Sequence, residues 1–462
     1  MVERLNRPPR PRRIPNPARL LVTGFLAAIG LGTVLLTLPA ATVDGRGLPL
    51  VDALFEATSA TCVTGLVVVD TGSTFTLFGE LVILTLIQVG GLGIMTVTTL
   101  FAYAVGRRIS LSETLTVGEA LGQPHLSGVL NLARNVALLT FTAELAGAAV
   151  LTAAWSRDYP LGEALYLGVF HSVSAFCNAG FDLFGRSLAG YTTDVVVNLT
   201  FLTLIITGGL GFYVLSEVLS RRRFGPGVGN SPGGRNGRLS LHTRVVLVTS
   251  LVLIAGGTLV ILLFEHSNPA TLGPLSPGGK VLAALFQAVT PRTAGFNTVS
   301  IAHLAPSTLL ILMTLMFIGA SPGSTGGGIK TTTFVAIVST IRSALRRRDD
   351  VEIGGRHLPP EVTVKSWVIA SIGLGVILTA TTLLLATEDA PFLTVLFETV
   401  SAFGTVGLSM GLTPELSTAG RLLVSVLMFV GRVGPFTVAV ALARKRPTGR
   451  AWHLPEERII VG

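Results

Sequence analysis

Four glycines carry the strongest chemical signal: Gly65, Gly180, Gly295 and Gly407, each closing a short pattern that opens on phenylalanine. The copies read FEATSATCVTGL from Phe55, FHSVSAFCNAGF from Phe170, FQAVTPRTAGF from Phe286 and FETVSAFGTVGL from Phe397. The glycines lie 115, 115 and 112 residues apart, and a near-constant period marks internal repetition. A dehydrated cation needs several oxygen ligands at once and must still be released, a task that rings of backbone carbonyls perform. Small side chains keep the backbone accessible, and glycine allows conformations that aim carbonyls inward. The candidate ligands are the carbonyls of Cys62, Val63, Thr64 and Gly65 and of Cys177, Asn178, Ala179 and Gly180. The other two copies offer those of Arg292, Thr293, Ala294 and Gly295 and of Gly404, Thr405, Val406 and Gly407. Glu56, His171, Gln287 and Glu398, second in each copy, are expected to brace their helices by hydrogen bonds to the filter backbone. Arg292 is expected to do the same, since its charge in the ion path would oppose conduction. Cys62 and Cys177 share a register and read as small helix residues rather than a metal pair.

The elements that position these turns follow from composition. Of 462 residues, 49 % are hydrophobic and 13 % charged, with mean hydropathy +0.68. A soluble chain carries about a quarter charged residues, so this is an all-α polytopic membrane protein set in a lipid bilayer. The net charge of +9 suggests nucleic acid until its distribution is considered. Of 34 Lys and Arg, 26 lie in segments that alternate with the four motifs, which places those segments and both termini in the cytoplasm. Orientation accounts for the charge without nucleic acid. Spans are expected at 19–39, 78–105, 129–154, 195–219, 245–264, 308–345, 367–386 and 421–443. Between the members of each pair sits a segment too short to cross as helix, so each turn must line a cavity. The layout is a basic tail (1–18), repeat 1 (19–108), repeat 2 (109–223), a Gly/Pro-rich linker (224–243), repeat 3 (244–348), repeat 4 (349–445) and a C-terminal tail (446–462).

A second register runs through the later spans. Gly90, Gly208, Gly319 and Gly431 fall 25, 28, 24 and 24 residues after the turn glycines. Such glycines let helices approach closely, and their matched position makes a further ring of four. In repeat 3 the run Gly319, Ala320, Ser321, Pro322, Gly323, Ser324, Thr325, Gly326, Gly327 and Gly328 interrupts the span, because proline and clustered glycine disfavour helix. It reads as an intramembrane gate. Arg432 sits mid-span, where a charge costs about 2.5–3.5 kcal/mol, so it must face water or a partner. It is expected to act as a positive barrier beside the gate, with a structural ion pair as the alternative. Lys330, just past the run, either bonds a carbonyl or lies in the cytoplasmic vestibule.

These four loops, the GASPGSTGGG run and the Arg of VGRVGP resemble the Trk/Ktr/HKT superfamily of potassium transport proteins over roughly residues 19–445. Eight spans with no extra pair before the first make the chain most similar to a KtrB-type pore-forming subunit. The resemblance implies four covalently linked membrane–pore–membrane repeats around one pseudo-fourfold pore in a bacterial-type cytoplasmic membrane. It further implies a homodimer carrying a cytoplasmic nucleotide-binding regulatory ring, and K⁺ as the transported ion, since all four turns end in glycine. Na⁺ enters as a coupling or activating ion. The competing readings are a Na⁺-permeable member of the same family and a Na⁺- or H⁺-coupled secondary transporter, although such transporters typically show inverted repeats and these four run parallel. An enzyme is disfavoured: the seven histidines are dispersed and no span pairs a histidine with a carboxylate at catalytic spacing.

Overall fold

The computed structural model describes residues 17–93, 129–224, 239–348, 350–434 and 437. The helices come in sets. α1 (Pro17–Leu36), α2 (Leu50–Cys62) and α3 (Leu77–Leu92) are followed by α4 (Val129–Trp155), α5 (Leu161–Phe176) and α6 (Val195–Leu210), the last continued by α7 (Phe212–Phe224). Next come α8 (Leu241–Glu265), α9 (Pro277–Val289) and α10 (Pro306–Phe317), with α11 (Thr331–Leu345) beyond a break. A small hairpin, β1 (Glu352–Ile353) against β2 (Arg356–His357), leads to α12 (Pro360–Thr387), α13 (Phe392–Gly404) and α14 (Thr418–Val433).

Length separates the classes. Within α1, α4, α8 and α12 lie apolar stretches of 18 to 28 residues, long enough to cross a bilayer. α2, α5, α9 and α13 have 13 to 16 residues, about 20–24 Å of helix, and cannot. The short helices are nonetheless the most enclosed elements: Phe55, Phe170, Phe286 and Phe397 are all fully buried. Each of these helices starts at a proline, Pro49, Pro160 or Pro391 at the N-cap and Pro277 at the first helical position, where a fixed φ and a missing N–H cost nothing. The helices that follow are capped by side chains. Thr76, Asp194 and Ser417 accept from Gly79, Val197 and Gly420 N–H, whereas at α10 the Glu265 carboxylate accepts from Ala305 N–H at 2.8 Å and from the Thr308 hydroxyl at 2.6 Å.

Several boundaries differ from the sequence expectation. The span expected over 195–219 is not one rod: α6 and α7 meet at 103° across Gly211, whose φ of 93° no side-chain-bearing residue adopts easily. α3 and α14 likewise end on Gly93 (φ 80°) and Gly434 (φ 92°), so helix breakage is not confined to repeat 3. The lower part of the 78–105 span, residues 438–445 and both expected tails apart from Pro17 and Ala18 lie outside the described residues. The linker expected over 224–243 is too long, since Ser240 already caps α8 by accepting from Thr243 N–H.

Candidate functional site

The C-terminal ends of α2, α5, α9 and α13 run into four turns with one backbone signature. Val63, Asn178, Thr293 and Thr405 have φ of 56°, 59°, 71° and 49°, and the glycine two residues later has 89°, 74°, 78° and 92°. Left-handed φ is rare for β-branched residues and costs on the order of 1–3 kcal/mol, so three of the four turns hold strain that the surrounding core must fix. The glycines also meet one another. A Cβ on Gly65 would collide with Ala179 O, one on Gly180 would lie 2.9 Å from Gly295 Cα, one on Gly295 2.6 Å from Val406 O, and one on Gly407 would collide with Thr64 O. The contacts close a ring in the order 65, 180, 295, 407. Candidate ligands Cys62, Cys177 and Gly404 stand at the helix ends, and Arg292 lies three residues beyond the last residue of α9. Thr64, Ala179, Ala294 and Val406 precede the glycines.

What braces the turns differs from expectation. Amides of Thr64, Ala179, Ala294 and Val406 donate to Ser59 O (2.8 Å), Ser174 O (2.7 Å), Thr290 O (2.9 Å) and Ser401 O (2.9 Å). The same residues' hydroxyls reach the turn directly in three copies. Ser59 Oγ accepts from Gly65 N–H at 3.1 Å, Ser174 Oγ donates to Phe181 O at 2.8 Å, and Thr290 Oγ1 donates to Phe296 O at 2.5 Å. The sequence reading passed over this hydroxyl, although Ser, Ser, Thr, Ser at the fifth position of each copy is its signal.

Glu56, His171 and Glu398 instead hold the strand that leaves the turn. Glu56 Oε1 accepts from Val68 N–H at 2.8 Å. His171 Nε2 accepts from Leu183 N–H at 3.3 Å while Nδ1 donates to Leu167 O. Glu398 accepts from the hydroxyls of Ser409 (2.8 Å) and Thr413. Gln287 makes no such bond, and both its amide atoms are buried without a partner. Arg292 turns its guanidinium toward α8, where Nη2 donates to Ser250 Oγ at 3.0 Å, rather than bracing the filter.

On one side of the ring lies a cavity of about 530 Å³, walled by the four glycines together with Asp70, Asp182, Asn297 and Ser409. Asp182, outside the membrane-spanning helices, accepts from Phe184 and Ser187 N–H. Burial, reinforced by the charge of Asp70, pushes its carboxyl up to about 6.

The 319–328 run packs against the opposite side. A Cβ on Gly326 would collide with Thr293 Oγ1, and one on Gly327 with Thr405 Oγ1, both residues of the ring turns. The run is tied to the broken end of α6: Ser321 N–H donates to Gly209 O (3.1 Å), Thr325 N–H to Gly208 O (3.3 Å) and Phe212 N–H to Gly323 O (2.9 Å). Ser324 Oγ donates to Ser321 O, and Ala320 N–H to Gly327 O. A Cβ on Gly211 would lie 2.5 Å from Pro322 O, so only glycine admits this contact. Arg432 donates from Nη1 to Thr325 O and from Nη2 to Gly90 O at 2.5 Å, joining the run to α3 and α14. Lys330 takes the carbonyl option, Nζ donating to Gly326 O at 2.7 Å. The glycines of the second register serve close packing: a Cβ on Gly90, Gly208 or Gly431 would collide with Thr61, Phe176 or Phe403 O at the end of the same unit's short helix. Gly319 departs from them, meeting Gly327 of the run and Gly328 beside it.

The family described as "TrkH: Cation transport protein" matches residues 6–454. The chain is 43 % identical to the Ktr system potassium uptake protein B of Bacillus subtilis, over 93 % of each chain. It is 40 % identical to the Vibrio alginolyticus protein of the same name, over 96 % of this chain and 94 % of that one. It is also 35 % identical to the potassium/sodium uptake protein NtpJ of Enterococcus hirae, over 98 % and 99 %. Among solved structures, the potassium transporter TrkH from Vibrio parahaemolyticus superposes with a TM-score of 0.70 at 21 % identity, covering 91 % of this chain and 85 % of that one, a likeness of fold. With its apolar spans, its ring of four glycine turns and these matches, the chain is a multi-pass membrane protein that belongs to the TrkH family of cation transport proteins.

Proposed function

We propose that the protein takes up K⁺ across the cytoplasmic membrane through a carbonyl-lined filter at the four turns, gated from below by residues 319–328 and Arg432. The observation that carries this reading is the shared sign pattern of φ, positive at Val63, Asn178, Thr293 and Thr405 and again at each following glycine. Alternation of that kind gathers successive N–H groups on one face of a short segment and carbonyls on the other. Four such segments in contact supply stacked oxygen rings that replace the hydration shell of a cation. The short helices add the negative ends of their dipoles. The recurring helix order supports a reading of four membrane–pore–membrane units with eight spans, pseudo-fourfold about this axis. The acidic cavity outside the ring concentrates cations before they dehydrate.

Closure rests on the run packed beneath Thr293 and Thr405. Arg432 holds it through Thr325 O, and a hydrogen bond from a charged group contributes about 1.5–3 kcal/mol. Breaking that tie raises the open population by roughly 10- to 150-fold. The names of two relatives, both of a "Ktr system", favour assembly with a further subunit. The working form is then a homodimer on a cytoplasmic nucleotide-binding ring that moves α11 and the run together. A second reading, Na⁺ permeation or coupling, is favoured by the name of the NtpJ relative and by the unequal turn interiors, Val-Thr, Asn-Ala, Thr-Ala and Thr-Val.

The test is cation flux into liposomes holding the purified protein, with K⁺ or Na⁺ as the permeant ion. K⁺ flux down its own gradient, several-fold faster than Na⁺ flux, is the expected result. Flux that needs a Na⁺ or proton gradient would replace the gated filter with coupled transport.

A further inference from the structure

A second cavity opens sideways between α3, α4 and α5, and its Gln88 and Glu144 lie beside the Cys177 side chain at the end of α5. It measures about 540 Å³, within the size range of small-molecule sites, and its walls include Leu84, Leu92, Ala148, Val169 and Val173. The rim residues Phe141 and Leu145 are 50 % and 69 % exposed on the outer face of α4, so the mouth faces the acyl chains. Three polar side chains interrupt this hydrocarbon lining: Thr85, whose hydroxyl donates to Leu81 O within α3, Gln88 of α3 and Glu144 of α4. Glu144 is 5 % exposed and lies within the apolar stretch Arg134–Trp155. Its Oε2 accepts from Gln88 Nε2 at a long 3.4 Å, and its Oε1 from Cys177 Sγ at 3.7 Å. Among the described residues no Lys, Arg or His pairs with it. An acidic group at membrane depth with two weak donors and no cation is costly and calls for a partner.

We infer that this cavity binds a lipophilic amine, its hydrocarbon part between α3, α4 and α5 and its ammonium donating to the Glu144 carboxylate. Charge complementarity selects the head group. The mouth in the lipid phase and the apolar walls select the tail. A neutral amphiphile of equal length satisfies the walls but leaves the acid without a counter-charge. The inference stands apart from the filter reading, because occupancy can be read without any ion flux.

The experiment uses the full chain in liposomes and dicyclohexylcarbodiimide, which partitions into hydrocarbon and reacts with acids there. The carboxyl O–H adds across one C=N bond, and the resulting O-acylisourea rearranges to a stable N-acylurea with no leaving group. Peptide mass spectrometry should find Glu144 modified. Decylamine should cut that labelling at least five-fold at concentrations where decanol leaves it within two-fold of the control. Ala148→Phe, which sets a ring in the cavity one helical turn from the acid, should lower both labelling and its protection by the amine. Absence of the adduct at Glu144 would overturn the inference, and so would equal protection by decanol or unchanged protection in Ala148→Phe.

Discussion

The third unit and the other three are built from the same helices, yet they solve the space beneath the ring differently. In units one, two and four a glycine of the following helix packs directly on the last carbonyls of the short helix, at Thr61, Phe176 and Phe403. In unit three the pattern from phenylalanine to glycine is one residue shorter, with Pro291 where those carbonyl-bearing residues stand, and Gly319 packs on the 319–328 run instead. The brace is missing there as well, since Gln287 bonds nothing where Glu56, His171 and Glu398 hold the outgoing strand. The difference teaches that asymmetry is concentrated on one side of the ring, the side from which the run reaches under it. Three units pack a glycine on the end of their short helix, and unit three places its run beneath the ring instead.

The largest effect that can sharpen this contrast comes from the ring itself. Gly407→Ala sets a Cβ against Thr64 O at a φ of 92°, and Gly65→Ser does the same against Ala179 O. Both should lower K⁺ flux at least ten-fold or let Na⁺ flux rise relative to K⁺, measured in liposomes; K⁺ flux and relative permeability both unchanged would remove the filter from these turns. Arg432→Gln comes next, with K⁺ flux expected to increase about ten-fold or more as the Thr325 tie is lost. A decrease with intact folding would make the arginine a strut and not a latch. His171→Leu should cost about 1–3 kcal/mol of stability, because Leu183 N–H loses its acceptor. The matched change Gln287→Leu should be neutral to within about 1 kcal/mol or stabilising, since it removes two buried polar atoms without partners. Equal thermal shifts for the pair would erase the distinction between the units. The smallest effect is from pH. With its carboxyl pushed up to about 6, mainly by burial, Asp182 is ionised at external pH 7.5 and largely neutral at 5. K⁺ inflow should fall about two-fold over that range, and Asp182→Asn should flatten the profile.

The ring was legible in the sequence because its demand falls on the backbone. Only glycine tolerates both the φ and the crowding at 65, 180, 295 and 407, so the requirement is written in residue identity. The interrupted span of unit three was legible for the same reason, through Pro322 and its glycines. The breaks at Gly93, Gly211 and Gly434 were not, since a glycine in an apolar run has the same appearance whether it caps a helix or packs one. Nor could composition tell which backbone groups Glu56 or His171 reach twelve residues on, because that depends on how the outgoing strand folds back. Glu144 escaped notice for a further reason: its neighbours Gln88 and Cys177 are 56 and 33 residues away in the chain, and only packing assembles them.

Because the ring 65–180–295–407 is closed within one polypeptide, its make-up is fixed at translation. A single codon change alters one corner in every molecule, whereas in a pore assembled from four identical chains it would alter all four together. Two alleles in one cell would yield two pure populations of rings, never a graded mixture. Selection can therefore adjust one quarter of the ring while three quarters hold it together.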